Sequence, residues 1–402
     1  MYFGGMKTCL ICSTRAPLRR SWRLVWSLVV PTMILIGCEP EAQKTRYVAS
    51  FGTTPSTEIL VDRNLSTWTI CNGLERITLE DLGNESYRIP VFNGSWTGAW
   101  QGERWEGSWT DSLRGKEYVV PVVLTPIPAT KPYEAEWTTS HWVSTEGLLI
   151  LDHLGDSVHA TISTPTGDYR YLAGTLKDNS LIFSTFDGSH LFRFAAELRG
   201  DSLVDGMFLS GTHYRTSFAA KRHDGPLSMW KVGTQTPASD SLWFVGVDAS
   251  GDTVLWNEDR LKKSGKKGVV LDIMGTWCPN CMDEARLLAE LKPEYPELSF
   301  VSLAFERNTG AAALARLTAY QKSLGLGWPV LFGGRASKSY ASSVLPMVDT
   351  LKSFPTTVFW PTDGTPHVHN GFHGPATGEG YALEKSHFRR QLDLLSGRLE
   401  SR

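Results

Sequence analysis

Residues 269–291 read VVLDIMGTWCPNCMDEARLLAEL, and this stretch decides the fold of the C-terminal part of the chain. The run 269–274 is apolar except for Asp272, which is typical of a buried strand. Residues 282–291 carry apolar side chains at helical spacing. Cys278 therefore lies at the entrance of a predicted helix, and Cys281 lies one turn further in. A dithiol between a strand and a helix usually carries out redox chemistry.

The composition is that of an ordinary globular protein. The 402 residues are 41% hydrophobic and 20% charged, with a formal net charge of -2. This length is enough for about two domains. Because the charge is near neutral and no long run of like charge occurs, no nucleic-acid partner is expected.

The first 38 residues have the pattern of a targeting segment. Four arginines between residues 15 and 23 precede an apolar run at 24–36, which is short for a transmembrane span. The run ends in Leu35-Ile36-Gly37-Cys38, which resembles a bacterial lipoprotein signal. That resemblance implies cleavage of residues 1–37 and lipidation of Cys38; the alternatives are an uncleaved anchor or a plain secretory signal. Each predicts export, and a lipid on Cys38 would tether the protein to a membrane.

Only two of the six cysteines form a close pair in the predicted mature chain. Two others precede residue 37 and would be lost with the signal. Cys71 lies in a strand-like segment without an obvious partner and is interpreted as a small buried core residue. One close pair in an oxidising compartment is not a disulfide scaffold. Cys278 and Cys281 are therefore predicted to react.

Residues 39–225 are predicted to form an all-β domain, a sandwich or a barrel. Short β-branched or aromatic runs are bounded here by Gly, Asn, Asp or Pro, without helical periodicity. A weak repeat relates residues 92–109 to residues 186–208 and suggests two related halves. Many of the 15 tryptophans fall in this region. Core packing is the favoured explanation for them, and an aromatic surface for a glycan or peptide is the alternative.

Residues 226–240 collect Pro, Gly, Ser and Thr and are predicted to be a linker. Beyond them, residues 241–402 alternate strand and helix patterns. The helix after Cys281 is predicted to end at Pro293, a second helix follows Thr309, and an amphipathic helix spans 387–395. Strands that alternate with helices and end in a hairpin predict a mixed sheet with helices on both faces.

Residues 241–400 resemble the thioredoxin superfamily. The resemblance rests on Trp-Cys-x-x-Cys after a central strand and on Phe354-Pro355-Thr356-Thr357 before a late strand. The Cys-x-x-Cys-x-x-Glu pattern, which ends at Glu284, and the lipoprotein context are similar to the TlpA/ResA-like thiol-disulfide oxidoreductases. The fold class implied is an α/β thioredoxin-like domain preceded by the all-β domain.

The residues around the dithiol have distinct expected roles. Exchange needs an exposed thiolate, and the helix N-terminus expected at Cys278 favours that charged form. Cys281 would be the shielded resolving thiol. The resemblance implies that Pro355 is a cis-proline facing the dithiol and that Trp277 belongs to the site.

Two carboxylates are candidate proton acceptors for Cys281. Asp272 lies in the apolar strand, and Glu284 lies three residues after Cys281 on the same helix face. A buried carboxyl has a raised pKa and can accept a thiol proton. The alternatives are a satisfied polar core residue at Asp272 and a solvated helix residue at Glu284.

Three alternative functions are also considered for this sequence. A zinc site would need four ligands, which the cysteine pair with His367, His369 or His373 could supply, although these histidines are interpreted as surface residues. A peroxiredoxin-like peroxidase would keep a single reactive cysteine in a different setting. A surface binding lipoprotein would use the β domain and leave the dithiol vestigial.

The favoured function is an exported, membrane-anchored thiol-disulfide oxidoreductase in the cell envelope, facing the periplasm or on the outer membrane. Its expected partners are oxidised protein substrates and a membrane-bound electron donor, with no cofactor and no metal. The resemblance implies that it acts as a reductase. Oxidase or isomerase activity is the alternative, because the reduction potentials of dithiols in this fold span about -270 to -120 mV.

Overall fold

The computed structural model describes residues 45–65, 67–115, 117–128, 136–225, 234–235 and 242–399. The predicted signal 1–37, the predicted lipidation site Cys38 and nearly all of the predicted linker 226–240 lie outside the described residues. Three β-sheets make up one compact unit. Within the described ranges, no helix combines the length and the apolar character needed to cross a membrane.

Nine antiparallel strands form the first sheet. They are β1 (Thr45–Phe51), β2 (Thr57–Asn64), β3 (Thr67–Asn72), β4 (Glu75–Thr78), β5 (Glu80–Gly83), β6 (Ser86–Arg88), β7 (Ser95–Gln101), β8 (Arg104–Thr110) and β9 (Val119–Ile127). Their order is β4-β3-β2-β1-β9-β8-β7-β6-β5. Strand β6 ends at Arg88, since Pro90 has no N–H for a ladder and Val91 adopts a φ of 72°.

Tryptophan side chains fill the core of this first sheet. Trp96 faces Trp109 across β7 and β8. Trp68, Trp96, Trp105 and Trp109 are at most 1% exposed. Gly107 leaves room for this packing, because a Cβ at that position would collide with the Trp105 ring. The prediction that tryptophans serve core packing is confirmed for these four residues.

The second sheet closes on itself as an antiparallel barrel. Its strands are β10 (Thr138–Ser144), β11 (Leu148–Leu154), β12 (Ser157–Thr164), β13 (Gly167–Asp168), β14 (Leu172–Lys177), β15 (Ser180–Phe186), β16 (Leu191–Arg199), β17 (Ser202–Ser210) and β18 (Tyr214–Arg222). The order is β11-β10-β18-β17-β16-β15-β14-β12-β13, and the extra β11–β12 pairing closes the ring. Closure leaves the eight ring strands without a free edge.

The all-β, barrel-like character predicted for the N-terminal part is confirmed, and no helix occurs among the described residues of 45–225. The strands form two sheets with largely separate apolar cores, rather than a single sandwich or barrel. Cys71 is buried at 4% exposure, and its thiol donates to Asp62 at 3.3 Å. Burial and the Asp62 charge raise the pKa of Cys71 to about 11, as expected for an unreactive core thiol.

The third sheet is mixed and carries the dithiol. Its strands are β19 (Thr234–Gln235), β20 (Trp243–Val247), β21 (Thr253–Asn257), β22 (Gly268–Met274), β23 (Leu298–Glu306), β24 (Val330–Arg335), β25 (Thr356–Pro361) and β26 (His367–Asn370). Their order is β19-β26-β25-β22-β23-β24-β20-β21, with β22, β23 and β24 parallel. Strand β19 lies inside the predicted linker and pairs with β26, so part of that segment belongs to the sheet.

Helices cover both faces of this third sheet. They are α1 (Glu258–Lys263), α2 (Pro279–Leu291), α3 (Gly310–Leu324), α4 (Lys338–Val344) and α5 (Glu379–Leu395). Residues of α2, α3 and α5 share one core with the sheet, and residues of α1 and α4 share the other. All seven positions of β22 are buried for this reason. The predicted mixed sheet with helices on both faces is confirmed. The final helix begins at Glu379 rather than at 387, and the short helices α1 and α4 were not predicted.

Candidate active site

Cys278 and Cys281 form a disulfide at the N-terminus of α2, with their Cα atoms 5.3 Å apart. Cys278 is the N-cap residue, and its Sγ accepts the backbone N–H of Cys281 at 3.2 Å. Pro279 occupies the first turn, where its missing N–H leaves no bond unmade. The N-terminal end of α2 thus directs free N–H groups and partial positive charge at the sulfurs.

Both sulfurs are more enclosed than the sequence indicates. Cys281 is fully buried, as expected of a resolving thiol, but Cys278 is only 6% exposed. The prediction of an exposed attacking sulfur is therefore wrong for the disulfide form. Segments of the barrel cover this end of α2, and those contacts have no local sequence pattern.

The loop before β25 lies against the disulfide. The Phe354-Pro355 peptide bond is cis, and the Phe354 carbonyl oxygen lies 3.5 Å from Cys278 Sγ. The Trp277 indole donates to the Phe305 carbonyl at 2.9 Å and stands edge-on to the Phe354 ring at 5.6 Å. The structure thus brings Pro355 and Trp277 together with the two cysteines.

Asp272 lies in β22 and is 1% exposed. Its Oδ2 accepts the Ser302 hydroxyl at 2.8 Å, and the Ser302 oxygen in turn accepts the Trp328 indole N–H at 2.9 Å. Burial raises the pKa of Asp272 to about 7, although the Ser302 hydrogen bond opposes this shift. A carboxyl with this pKa exchanges its proton near neutral pH.

Glu284 lies in α2, one turn after Cys281, and is fully buried. The alternative of a solvated helix residue is wrong. Its Oε1 accepts the hydroxyl of Thr357, the residue that pairs with Asp272 across β22 and β25. Burial and then the charge of Asp272 raise the pKa of Glu284 well above its usual range. Because each buried carboxylate disfavours ionisation of the other, the two groups take up and release protons as a pair rather than independently.

The barrel contacts the disulfide-bearing turn directly. The Asn280 side-chain amide, between the two cysteines, donates to the Asp168 carbonyl at 3.1 Å. The Ser189 hydroxyl donates to the Trp277 carbonyl at 2.7 Å. Met282, on α2, is buried in the same core as the tryptophans of the first sheet. Sequence reasoning missed these contacts, although the repeat predicted at residues 186–208 includes Ser189.

A buried arginine of the barrel joins the first sheet to helix α2. The Arg170 side chain is 4% exposed and forms ion pairs with Asp283 at 3.0 Å, Glu75 at 2.6 Å and Asp187 at 3.9 Å. Burial opposes ionisation of Asp187, but His190 and Arg170 lower its pKa to about 2. A buried cation held by several carboxylates fixes the barrel and the first sheet against the helix that carries the disulfide.

A cavity of about 610 Å³ opens between the barrel and the disulfide. Cys278 and residues of the loop before β25 contribute one side, and the end of the barrel contributes the other. Residues from both sides line it: Glu146, Thr164, Thr166, Tyr169, His190, Phe192, Phe208, Ser210, Tyr214, Trp277, Cys278, Pro279, Asn280, Lys338, Ser353 and Phe354, among others.

The three histidines considered as zinc ligands are not surface residues. His369 is fully buried, His373 is 7% exposed and His367 is half-buried. Glu384, on α5, lies 3.1 Å from His369 and 3.0 Å from His373. Within the described part of the chain, no cluster of three or more His, Cys, Asp or Glu side chains has the geometry of a metal site.

No protein-family model matches the sequence, and no curated protein matches it. Solved structures similar to this chain include a secreted disulfide oxidoreductase of Mycobacterium tuberculosis homologous to E. coli DsbE. It is 18% identical, with a TM-score of 0.27, and the match covers 37% of this chain and 93% of that one. The thioredoxin domain of a thiol-disulfide oxidoreductase from Bacteroides vulgatus is 15% identical, with a TM-score of 0.28 and coverages of 39% and 99%. A thioredoxin family thiol:disulfide interchange protein from Chlorobium tepidum is 18% identical, with a TM-score of 0.24 and coverages of 39% and 99%.

Proposed function

We propose that this protein is a thiol-disulfide oxidoreductase that exchanges electrons with disulfide-containing protein substrates through Cys278 and Cys281. The observation that carries the proposal is the disulfide at the N-terminus of α2, where Cys278 accepts a backbone N–H. A helix N-terminus favours a thiolate over a thiol, and the thiolate is the nucleophile in exchange.

The exchange runs in two steps from the reduced form. The Cys278 thiolate attacks one sulfur of a substrate disulfide, R–S–S–R′; a bond between Cys278 and R–S forms, the substrate bond breaks, and R′S⁻ leaves. The Cys281 thiolate then attacks Cys278 Sγ, re-forms the protein disulfide and releases RS⁻. Two electrons pass to the substrate, and two protons complete the two substrate thiols.

Cys281 must lose its proton before it attacks, and it is fully buried. Glu284 lies on the same face of α2 and accepts the hydroxyl of Thr357, which stands opposite Asp272 on the neighbouring strand. Burial makes both carboxylates stronger proton acceptors than an exposed carboxylate, and the pKa of Asp272, about 7, places its proton exchange near neutral pH. We assign Glu284 as the proton acceptor for Cys281, and Asp272 as the group whose charge raises the pKa of Glu284.

Reduction of substrates is the direction we propose, with a membrane-bound donor restoring the dithiol. Lipidation of Cys38 after removal of residues 1–37 would keep the protein beside that donor in the cell envelope. Oxidation or isomerisation of substrates uses the same two steps in another order. The reduction potential of the Cys278–Cys281 pair distinguishes these directions, since 30 mV changes the two-electron equilibrium about tenfold.

The test uses single cysteine variants of the full chain. Cys278→Ser is expected to abolish insulin reduction in the presence of dithiothreitol, because the attacking sulfur is gone. Cys281→Ser is expected to accumulate mixed disulfides with substrates, visible on a non-reducing gel, because nothing resolves them. Cys71→Ser is the matched control and should behave like the unmodified protein. Full activity of Cys278→Ser would overturn the proposal and favour a binding protein.

A further inference from the structure

The cavity beside the disulfide gives the barrel a role in substrate choice. We propose that the end of the barrel binds an extended, cysteine-containing peptide segment with a large aromatic or apolar side chain next to the reacting cysteine. This inference rests on the proposed function and names its substrate class. The cavity of about 610 Å³ includes Cys278 in its lining, so a bound segment would meet the attacking sulfur.

An aromatic wall lines the barrel side of this cavity, formed by Tyr169, Phe192, Phe208 and Tyr214. Tyr169 lies 5.3 Å from Phe192 and 5.5 Å from Phe208, measured between ring centres. Tyr214 lies 6.0 Å from Phe208 and is 51% exposed at the end of the wall. Phe192 is also partly exposed. Rings at these spacings present a surface onto which another ring or an apolar side chain can stack.

The charges around the cavity disfavour a small anionic disulfide as the ligand. The Arg170 guanidinium is already paired with Asp283, Glu75 and Asp187. The Lys338 ammonium donates to the Lys352 carbonyl at 2.6 Å. Among the described residues that line the cavity, Arg170 is the one arginine and Lys338 is the one lysine. An acidic ligand such as oxidised glutathione would therefore have to displace a carboxylate from Arg170, which leaves it a single lysine, Lys338, as a cationic partner.

The enclosure of Cys278 disfavours the flat surface of a folded protein. Asp168 and Ser189 of the barrel bond to the turn that holds the disulfide, and Cys278 is only 6% exposed. A broad surface would meet the barrel before it reached the sulfur. An extended segment can enter a cleft and place one residue in it, with its neighbours along the aromatic wall.

The experiment uses the reduced full chain, freed of dithiothreitol and mixed with disulfide-linked peptide dimers of equal length. In one dimer phenylalanine flanks the cysteine, in the other serine does, and oxidised glutathione is the third substrate. Second-order rates, followed by tryptophan fluorescence, are divided by the rate of each disulfide with dithiothreitol. We expect the phenylalanine dimer to react about tenfold faster than the serine dimer.

Two variants locate that preference. Tyr214→Ser and Phe192→Ser should each lower the phenylalanine-to-serine rate ratio about threefold, because each removes one ring of the wall. Trp243→Ser removes an aromatic side chain of similar exposure, 41%, from the third sheet outside the cavity and should leave the ratio unchanged. Circular dichroism of each variant checks that the fold is retained.

The outcomes separate this inference from the proposed function. No reaction with any of the three disulfides would overturn the proposed function and the inference with it. Equal rates for the two dimers, or a ratio that Tyr214→Ser and Phe192→Ser leave intact, would overturn the inference alone. Faster reaction with oxidised glutathione than with either dimer would also overturn it, in favour of small disulfides.

Discussion

Replacement of Asp272 by asparagine should remove a specific part of the pH dependence of stability. Burial raises the pKa of this carboxyl from 3.8 to about 7. Between these values the folded protein keeps a proton that the unfolded chain has released, so the free energy of unfolding falls as the pH rises from about 4 to 7. At 1.36 kcal/mol per pKa unit, the fall amounts to about 4 kcal/mol. Asp272→Asn removes this group's share of the fall, and it also lessens the share of Glu284, whose pKa the Asp272 charge raises. We therefore expect the variant to show a smaller fall and to be the more stable protein at pH 8.

The measurement is urea denaturation of the oxidised full chain at pH 4, 6 and 8, compared with Asp272→Asn and Asp201→Asn. Asp201 is exposed, so its replacement serves as the control for the loss of one carboxylate at the surface. The two proteins that retain Asp272 should lose stability in parallel from pH 4 to pH 8. If Asp272→Asn follows the same curve, Asp272 is already ionised in the folded protein and burial does not raise its pKa.

Two further perturbations test the ion pairs that surround the site. Arg170→Met should lower the free energy of unfolding by about 3–5 kcal/mol because it leaves buried carboxylates uncompensated; urea denaturation measures this, and adding Glu75→Gln should recover part of the loss if the pairing is the cause. For Glu384, burial opposes ionisation, but hydrogen bonds from His369 and His373 lower the pKa from 4.5 to about 2. Above pH 5 the ionised form of Glu384 therefore adds about 3 kcal/mol to the free energy of unfolding, and this stabilisation is lost as the pH falls toward 2. Glu384→Gln should be less stable than the unmodified protein by about that amount at pH 7, as measured by urea denaturation. If the difference in free energy of unfolding between the two proteins does not narrow toward pH 2, ionisation of Glu384 is not its cause.

The parts of the fold that sequence reasoning predicts well are set by local patterns. The seven-residue strand β22 and the helix α2 follow from an apolar run and a helical period, and the position of Cys278 follows from their junction. The closing helix α5 is predicted too short because its first turns, from Glu379, are mostly polar and carry little periodicity.

The parts that it misses depend on residues far apart in the chain. The Asn280 amide and the Asp168 carbonyl are 112 positions apart, and no local spacing encodes their contact. His369 is interpreted as a surface residue because a hairpin turn precedes it. It is buried because α5 brings Glu384 to it. A buried polar group needs such a partner, and a single sequence does not indicate which one.

Met282 is buried in the tryptophan core of the first sheet although it belongs to the helix that carries the disulfide. A graft of this disulfide-bearing segment onto another scaffold, or its expression as an excised fragment, would leave that side chain in water and the Asn280 amide without its acceptor. The strand-rich part is thus a structural component of the disulfide site rather than a detachable module. A swap that moves the disulfide into another protein should therefore carry the barrel along with it.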